Sequence, residues 1–283
     1  MTRLADIEAH ISNMSELLGI VGAMRSLAGM RMQEAQRTLP GIRQYAEAVA
    51  SGIADTLLLM REPEPAPRKP QERLALVLCT AEHGFVGGFN ERLFEAAQAV
   101  LRPSDALFVL GTRGAALAVE RGSPANWTHP MATRGAAVPE TVQRLSTELY
   151  RRIARGEIAR VEVIYARYGQ GSAESIERRL LLPLVLASFR PKQPRQPPLH
   201  NLEPVALHER LMVEYVFALL TETAVESIAS ENAARFAAME SAHDNVSKKL
   251  EQLHQNARQA RQSAITTELL ELVAAAKALG GER

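Results

Sequence analysis

The 283-residue sequence predicts an α/β fold in which a long antiparallel coiled coil of N- and C-terminal helices carries an inserted small α/β domain with a mainly parallel sheet. Three observations lead there. Apolar residues step by three and four along both ends of the chain. The middle alternates strand-like and helix-like runs. Proline-rich stretches separate the three parts. The expected boundaries are 1–60 for the N-terminal coiled-coil helix, 73–190 for the α/β domain and 204–280 for the C-terminal coiled-coil helix.

In the first segment, Leu4, Ile7, Ile11, Met14, Leu18 and Val21 begin a heptad that continues through Ala28, Met32, Ala35, Leu39, Ile42, Ala46, Val49 and Ile53. Only Arg25 breaks it among the early positions. At about 1.5 Å per residue such a helix runs on the order of 80 Å, too long for an ordinary globular domain. Pro40-Gly41 should kink or interrupt it, because proline removes a backbone donor and crowds the preceding turn. The stretch REPEPAPRKPQE (61–72) then reads as an extended exit.

The central segment changes period. RLALVLCT (73–80), DALFVLGT (105–112), RVEVIYARY (160–168) and SIERRLLLPL (175–184) have the aliphatic and β-branched content of strands. NERLFEAAQAVL (90–101), RGAALAVERG (113–122) and PETVQRLSTELYRRIARG (139–156) are amphipathic. A second proline-rich linker, SFRPKQPRQPPLH (188–200), follows. The helical period then returns in Phe236, Met239, His243, Val246, Leu250, Leu253, Ala257, Ala260 and Ala264, and shifts to Ile265, Leu269, Leu272, Ala276 and Leu279. Pro204 suits a first helical turn and Gly280-Gly281 an end.

Composition narrows the function classes. Hydrophobic residues make up 46% and charged residues 23%, ordinary for a folded soluble chain, and the net charge of +1 supplies no basic field for nucleic acid. The single cysteine, Cys79, excludes an internal disulfide framework. The N-terminal stretch lacks the apolar core of a signal peptide, and no run approaches the roughly 20 apolar residues that span a bilayer. Any membrane association should be peripheral and held by another subunit.

The stretch TAEHGFVGGFN (80–90) sits between a strand-like and a helix-like run, the setting of many phosphate loops. It lacks the GK[ST] ending of a P-loop and is not GxGxxG, so a structural turn is the better reading, with Gly84, Gly87 and Gly88 turning the chain and Asn90 capping the helix. The seven histidines are scattered without metal-ligand spacing, and His243 reads as a packed polar seam residue. Cys79 reads as a small buried hydrophobe. No nucleophilic triad is ordered by the sequence, and Glu268 and Glu271 have no pocket around them. No catalytic, cofactor or metal residue is assigned.

The terminal stretch ARQARQSAITTELLELVAAAKAL (257–279) resembles the C-terminal signature of the gamma subunit of rotary F-type ATP synthases. Ile265, Thr266, Thr267, Glu268 and Glu271 match it, Ala275 replaces the usual glycine, and Ala276 is in place. SENAARFAAMESAHDN (230–245) is similar to an upstream segment of the same helix. The opening helix matches through Ala23, Met24 and Arg25. TAEHGFVGGFN matches the family's glycine turn, with Phe85 and Val86 replacing leucine and cysteine. The resemblance covers nearly the whole chain in order. Ile20-Val21-Gly22 and Met32-Gln33 depart from the usual residues, which points to a divergent branch such as an alternative bacterial F-type ATPase.

The resemblance implies a non-catalytic central rotor shaft that couples ion flow through a membrane ring to ATP synthesis or hydrolysis. The implied partners are the alpha and beta subunits, the epsilon subunit and the membrane c-ring, on the cytoplasmic side of a bacterial plasma membrane. It also implies partner-binding roles for Met24, Arg25, Arg261, Gln262, Thr266, Glu268, Leu269, Leu272 and Leu279. Arg261, Gln262 and Thr266 would form a position-dependent catch against the beta subunits, with Arg261 off the intramolecular seam. Leu269, Leu272 and Leu279 would slide in an apolar bearing. A nucleotide-binding enzyme with coiled-coil arms would account for the turn and helices but not the terminal signature. A coiled-coil scaffold leaves the inserted domain without purpose.

Overall fold

A computed structural model describes residues 2–60, 73–169, 175–189 and 199–280. The chain divides into two compact units, one of Met1–Leu27 with Phe236–Arg283 and the other of Ala28–Arg235.

The larger unit holds a five-stranded sheet. Its elements are β1 (Leu74–Cys79), α2 (Phe89–Gln98), β2 (Ala106–Leu110), α3 (Thr112–Glu120), β3 (Trp127–His129), α4 (Val138–Ala154), β4 (Arg160–Arg167) and β5 (Ser175–Leu182). The strand order is β3-β2-β1-β4-β5, parallel except for β5, which runs antiparallel to β4. Short 3-10 turns occupy Gly135–Ala137 and Leu186–Phe189. A strand covered on both faces should be apolar at every position, and β1 is buried throughout. Its Ala75, Val77 and Cys79 join the core shared with α4, while Leu74, Leu76 and Leu78 face α2 and α3.

Helix α1 (Thr2–Leu57) and helix α5 (Pro204–Gly280) flank this insertion in sequence. In the larger unit they run antiparallel. Arg43 of α1 meets Glu222 and Glu226 of α5, whereas Thr56, later in α1, meets His208, earlier in α5. Ala28, Ala35, Leu39, Ala46, Val49 and Ile53 of the heptad are all buried there. In the smaller unit Val21, Met239 and Ala257 are buried and the other seam positions through Ala260 are half-buried.

Of the two outcomes expected at Pro40-Gly41, a kink or an interruption, the interruption does not occur, since α1 continues through Pro40 as one helix. Pro40 is exposed while neighbouring Leu39 and nearby Ala35 and Ala46 are buried, so the missing donor faces water and the seam packing holds on both sides. Asn90 does not cap α2. The helix begins at Phe89 with Gly88 at the N-cap, and the buried Asn90 Oδ1 accepts from the Ala81 N–H at 2.9 Å instead.

The short strand β3 was not among the expected elements. Three residues, Trp127, Thr128 and His129, are too few to show a period.

Candidate functional site

The glycine turn is the first place to look for a ligand. Gly87 has φ +56, the left-handed region where a side chain is strained, and so has the non-glycine Phe85 at φ 62. Gly84 and Gly88 have no positive φ. The tightest backbone approach lies elsewhere, at Gly114 of α3, where a Cβ would collide with the Thr80 side chain.

The polar groups of the turn are taken up inside the chain. Glu82 accepts from the Thr112 N–H at 3.1 Å and the Met131 N–H at 2.8 Å. A carboxylate therefore stands where those two N–H groups could have met an anion. Arg235 of α5 donates to the carbonyls of His83 and Gly84, and pairs with Glu231 at 2.6 Å. Arg235 and Glu231 are both buried, and burial raises the Glu231 carboxyl against the pull of Arg235. Nearby, the Ser227 hydroxyl donates to the Cys79 carbonyl at 2.8 Å, and that of Ser230 to the Ala166 carbonyl at 3.0 Å. These bonds tie α5 to the ends of β1 and β4. Burial pushes the Cys79 thiol up to about 12, which leaves it without thiolate character at neutral pH.

The second region is the end of α5. From Arg261 to Ala276 every residue is exposed. Among them Ile265, Leu269, Leu270, Leu272 and Val273 are each more than half exposed. Successive helical residues point about 100° apart, so Leu269 and Leu270, like Leu272 and Val273, lie on different faces. The single seam read from the sequence missed Leu270 and Val273, because it followed only one face.

The polar residues that the resemblance implies as a catch lie at the start of this stretch. Arg261, Gln262 and Thr266 are exposed, and the Thr266 hydroxyl donates to the Gln262 carbonyl at 2.9 Å. Arg261 donates to Glu8 of α1 at 2.9 Å, a partner that the sequence did not disclose. The side chain is therefore exposed, yet not wholly off the intramolecular seam. Both groups are more than half exposed, so the pair is worth little and can be exchanged for another at small cost. Glu268, Leu269 and Leu272 follow on the same exposed stretch, while the side chain of Leu279 lies outside the described residues. Met24 and Arg25, on α1, are half-buried, and among the described residues no hydrogen bond or ion pair joins them to the cluster. No helix among the described residues is long and apolar enough to cross a membrane.

An internally tied sheet domain, an antiparallel helix pair and an apolar helix end without cover among the described residues match a known architecture. The family model described as ATP synthase matches residues 3–279. Relatives named ATP synthase gamma chain include that of Chlorobaculum tepidum, 28% identical over 299 residues and covering 99% of both chains. The chain belongs to the ATP synthase gamma-chain family. The gamma chain of Moorella thermoacetica is 27% identical, covering 99% of this chain and 100% of its own. A gamma chain is a subunit of the ATP synthase complex. The gamma fold also recurs in solved structures. A chain of the central stalk and c-ring of Tetrahymena thermophila mitochondrial ATP synthase aligns with TM-score 0.56 and 18% identity, covering 79% of this chain and 99% of that one. A chain from the Euglena gracilis enzyme aligns with TM-score 0.54 and 16% identity, covering 93% and 97%.

Proposed function

We propose that this chain is the central rotor shaft of a bacterial F-type ATP synthase, coupling ion flow through a membrane c-ring to ATP synthesis or hydrolysis in the alpha and beta subunits. The observation that carries the reading is the end of α5, a helix with apolar residues on several faces and no cover among the described residues. Such a surface needs a surrounding partner, and a ring of alpha and beta subunits supplies one. The sheet domain (73–190) is the part that grips the epsilon subunit and the ring. The chain itself carries out no chemistry. It associates peripherally with the cytoplasmic side of the plasma membrane, through the complex.

Coupling then arises from contact free energy. An asymmetric shaft presses a different face on each catalytic site in each orientation, and so favours a different conformation at each. Arg261, Gln262 and Thr266 serve as the catch. In one orientation Arg261 leaves Glu8 for a carboxylate of a beta-subunit loop, which its forked donors hold well. Met24 and Arg25 face beta-subunit loops, Glu268 is partner-facing, and Leu269, Leu272 and Leu279 run in the bearing.

Arg261→Ala should slow steady-state ATP hydrolysis in a complex reconstituted with alpha and beta subunits, and Arg261→Lys should restore only part of the rate. The free chain should melt as the native one does, since the Glu8 pair is exposed. Full turnover by Arg261→Ala in a complete complex would make this residue ordinary surface.

A further inference from the structure

We propose that the hollow between α4 and α5 is an anchor pocket for a lysine or arginine side chain of a partner subunit in the assembled complex. The hollow has a volume of about 290 Å³ and is lined by Gln143, Ser146, Tyr150, Val213, Glu214 and Phe217. It lies wholly within the larger unit.

Three features set its chemistry. Ser146 is 7% exposed, and its hydroxyl oxygen is buried without a hydrogen-bond partner among the described residues. A buried hydroxyl left unpaired costs stability, so its persistence at the wall of a hollow points to a partner supplied from outside. Glu214 is the second feature. Its Oε1 accepts from the Tyr45 hydroxyl, and no lysine or arginine pairs with it among the described residues. That bond pushes the Tyr45 phenol up to about 12, so it remains a neutral donor and leaves the carboxylate charge uncompensated. The third feature is the wall. The rings of Tyr150 and Phe217 with the Val213 methyls offer apolar surface for an aliphatic stem and π faces for a cation.

The acceptors fit a cation better than an anion. The Glu214 carboxylate, the Ser146 hydroxyl and the Gln143 amide oxygen can all accept, and both lysine and arginine bring several donors and no acceptor. The occupant is a polypeptide because the hollow does not stand alone. Through Gln143 and Thr147 it continues along α4 into a second hollow of about 680 Å³, reaching Trp127 and Glu140 beside β3. A segment lying along α4 can fill the second hollow and drop one basic side chain into the first. The assignment of this polypeptide to a neighbouring subunit rests on the shaft reading; the cation preference of the pocket does not.

The test has two arms. In the first, the isotope-labelled full chain is titrated with Nα-acetyl-arginine methylamide, Nα-acetyl-lysine methylamide and the norleucine equivalent, followed by NMR. The basic compounds should shift the amides of Ser146, Tyr150 and Glu214, and the norleucine compound should not. Glu214→Gln should weaken binding about tenfold or more, the loss expected for a charged hydrogen-bonding partner. Ser146→Ala should also weaken it while leaving the melting temperature equal or higher, because the free chain gains no bond from that hydroxyl. Equal shifts from norleucine, unchanged affinity in Glu214→Gln, or a lowered melting temperature in Ser146→Ala would overturn the pocket. In the second arm, a benzophenone side chain at position 143 of the reconstituted complex should cross-link to a lysine- or arginine-bearing segment of another subunit. Adducts confined to this chain, or to segments without a basic residue, would overturn the partner assignment. Failure of the native chain to assemble with alpha and beta subunits would count against the shaft reading and leave the titration to decide the pocket.

Discussion

Two stretches of α5 obey different rules. Between Val216 and Arg235 every residue is buried except Phe217, Glu222, Ala233 and Ala234, which are half-buried. Between Arg261 and Ala276 every residue is exposed. Yet the buried stretch is no less polar than the exposed one, with Thr223, Glu226, Ser227, Ser230, Glu231, Asn232 and Arg235 enclosed. The exposed one carries Ile265, Leu269, Leu270, Leu272 and Val273 into solvent. Burial inside a chain is tolerable for polar groups when each finds its partner, and here Ser227, Ser230, Asn232 and Arg235 all do. Apolar exposure on several faces is the mark of a surface awaiting another chain. Residue chemistry alone does not separate the two stretches. The partners do.

The strongest way to break this contrast is Arg235→Ala. It removes the charge facing Glu231 and the donors to the His83 and Gly84 carbonyls. Loss of one member of a buried pair leaves the other uncompensated, so the chain should lose about 3–5 kcal/mol, read from urea unfolding. A loss under about 1 kcal/mol would mean that the network does not hold the turn to α5.

A smaller effect comes from Glu222, where Arg43 of α1, Arg179 of β5 and α5 converge. Burial raises its carboxyl, but the two guanidinium groups outweigh that and hold it below the ordinary glutamate value of 4.5. The native state then binds its proton less readily than the unfolded chain. The stability contributed is present above pH 4.5 and disappears as pH falls through the lower native value. Glu222→Gln should therefore cost on the order of 2 kcal/mol at neutral pH and flatten the acid limb of the stability profile. Neighbouring Glu226 is shifted the other way, chiefly by burial, so its contribution declines as pH rises. An acid limb unchanged by Glu222→Gln would remove this residue from the network.

The smallest expected change in the free chain is that of Leu269→Ala with Leu272→Ala. Both side chains are more than half exposed, so unfolding should shift by no more than about 0.5 kcal/mol. In the reconstituted complex the same pair should lower turnover or assembly. A multi-kcal/mol loss in the free chain would show that this end is covered by its own chain and is no different in that respect from the Val216–Arg235 stretch.

Much of the fold could be read from periodicity. The α1 heptad from Leu4 to Ile53 is buried or half-buried at each position, and the runs at 73–80, 105–112, 160–168 and 175–184 each contain a strand. These signals are local, repeated over many residues, and set by the geometry of the helix and the pleat. Pro204 at the start of α5 was legible for the same reason, since proline at a first turn acts through its own backbone. Of the candidate site, Ile265, Leu269 and Leu272 were legible in the helical period, whereas Arg261, Gln262 and Thr266 could be picked out only through the family resemblance.

Tertiary structure alone decided the rest. Asn90 has the chemistry of a cap, but a nearer demand, the Ala81 N–H, claims its side chain. Arg261 finds Glu8 across the helix pair, and Arg235 finds carbonyls roughly 150 residues away in sequence. The Ser146 hydroxyl, without a partner among the described residues, reads in sequence as one more polar position on an amphipathic helix. The physical reason is common to all four. The sequence by itself determines which backbone conformation each segment prefers and which faces are apolar, because those depend on neighbours a few residues away. Which polar group meets which partner, and which apolar face is left without one, depends on groups brought close only when the chain has folded.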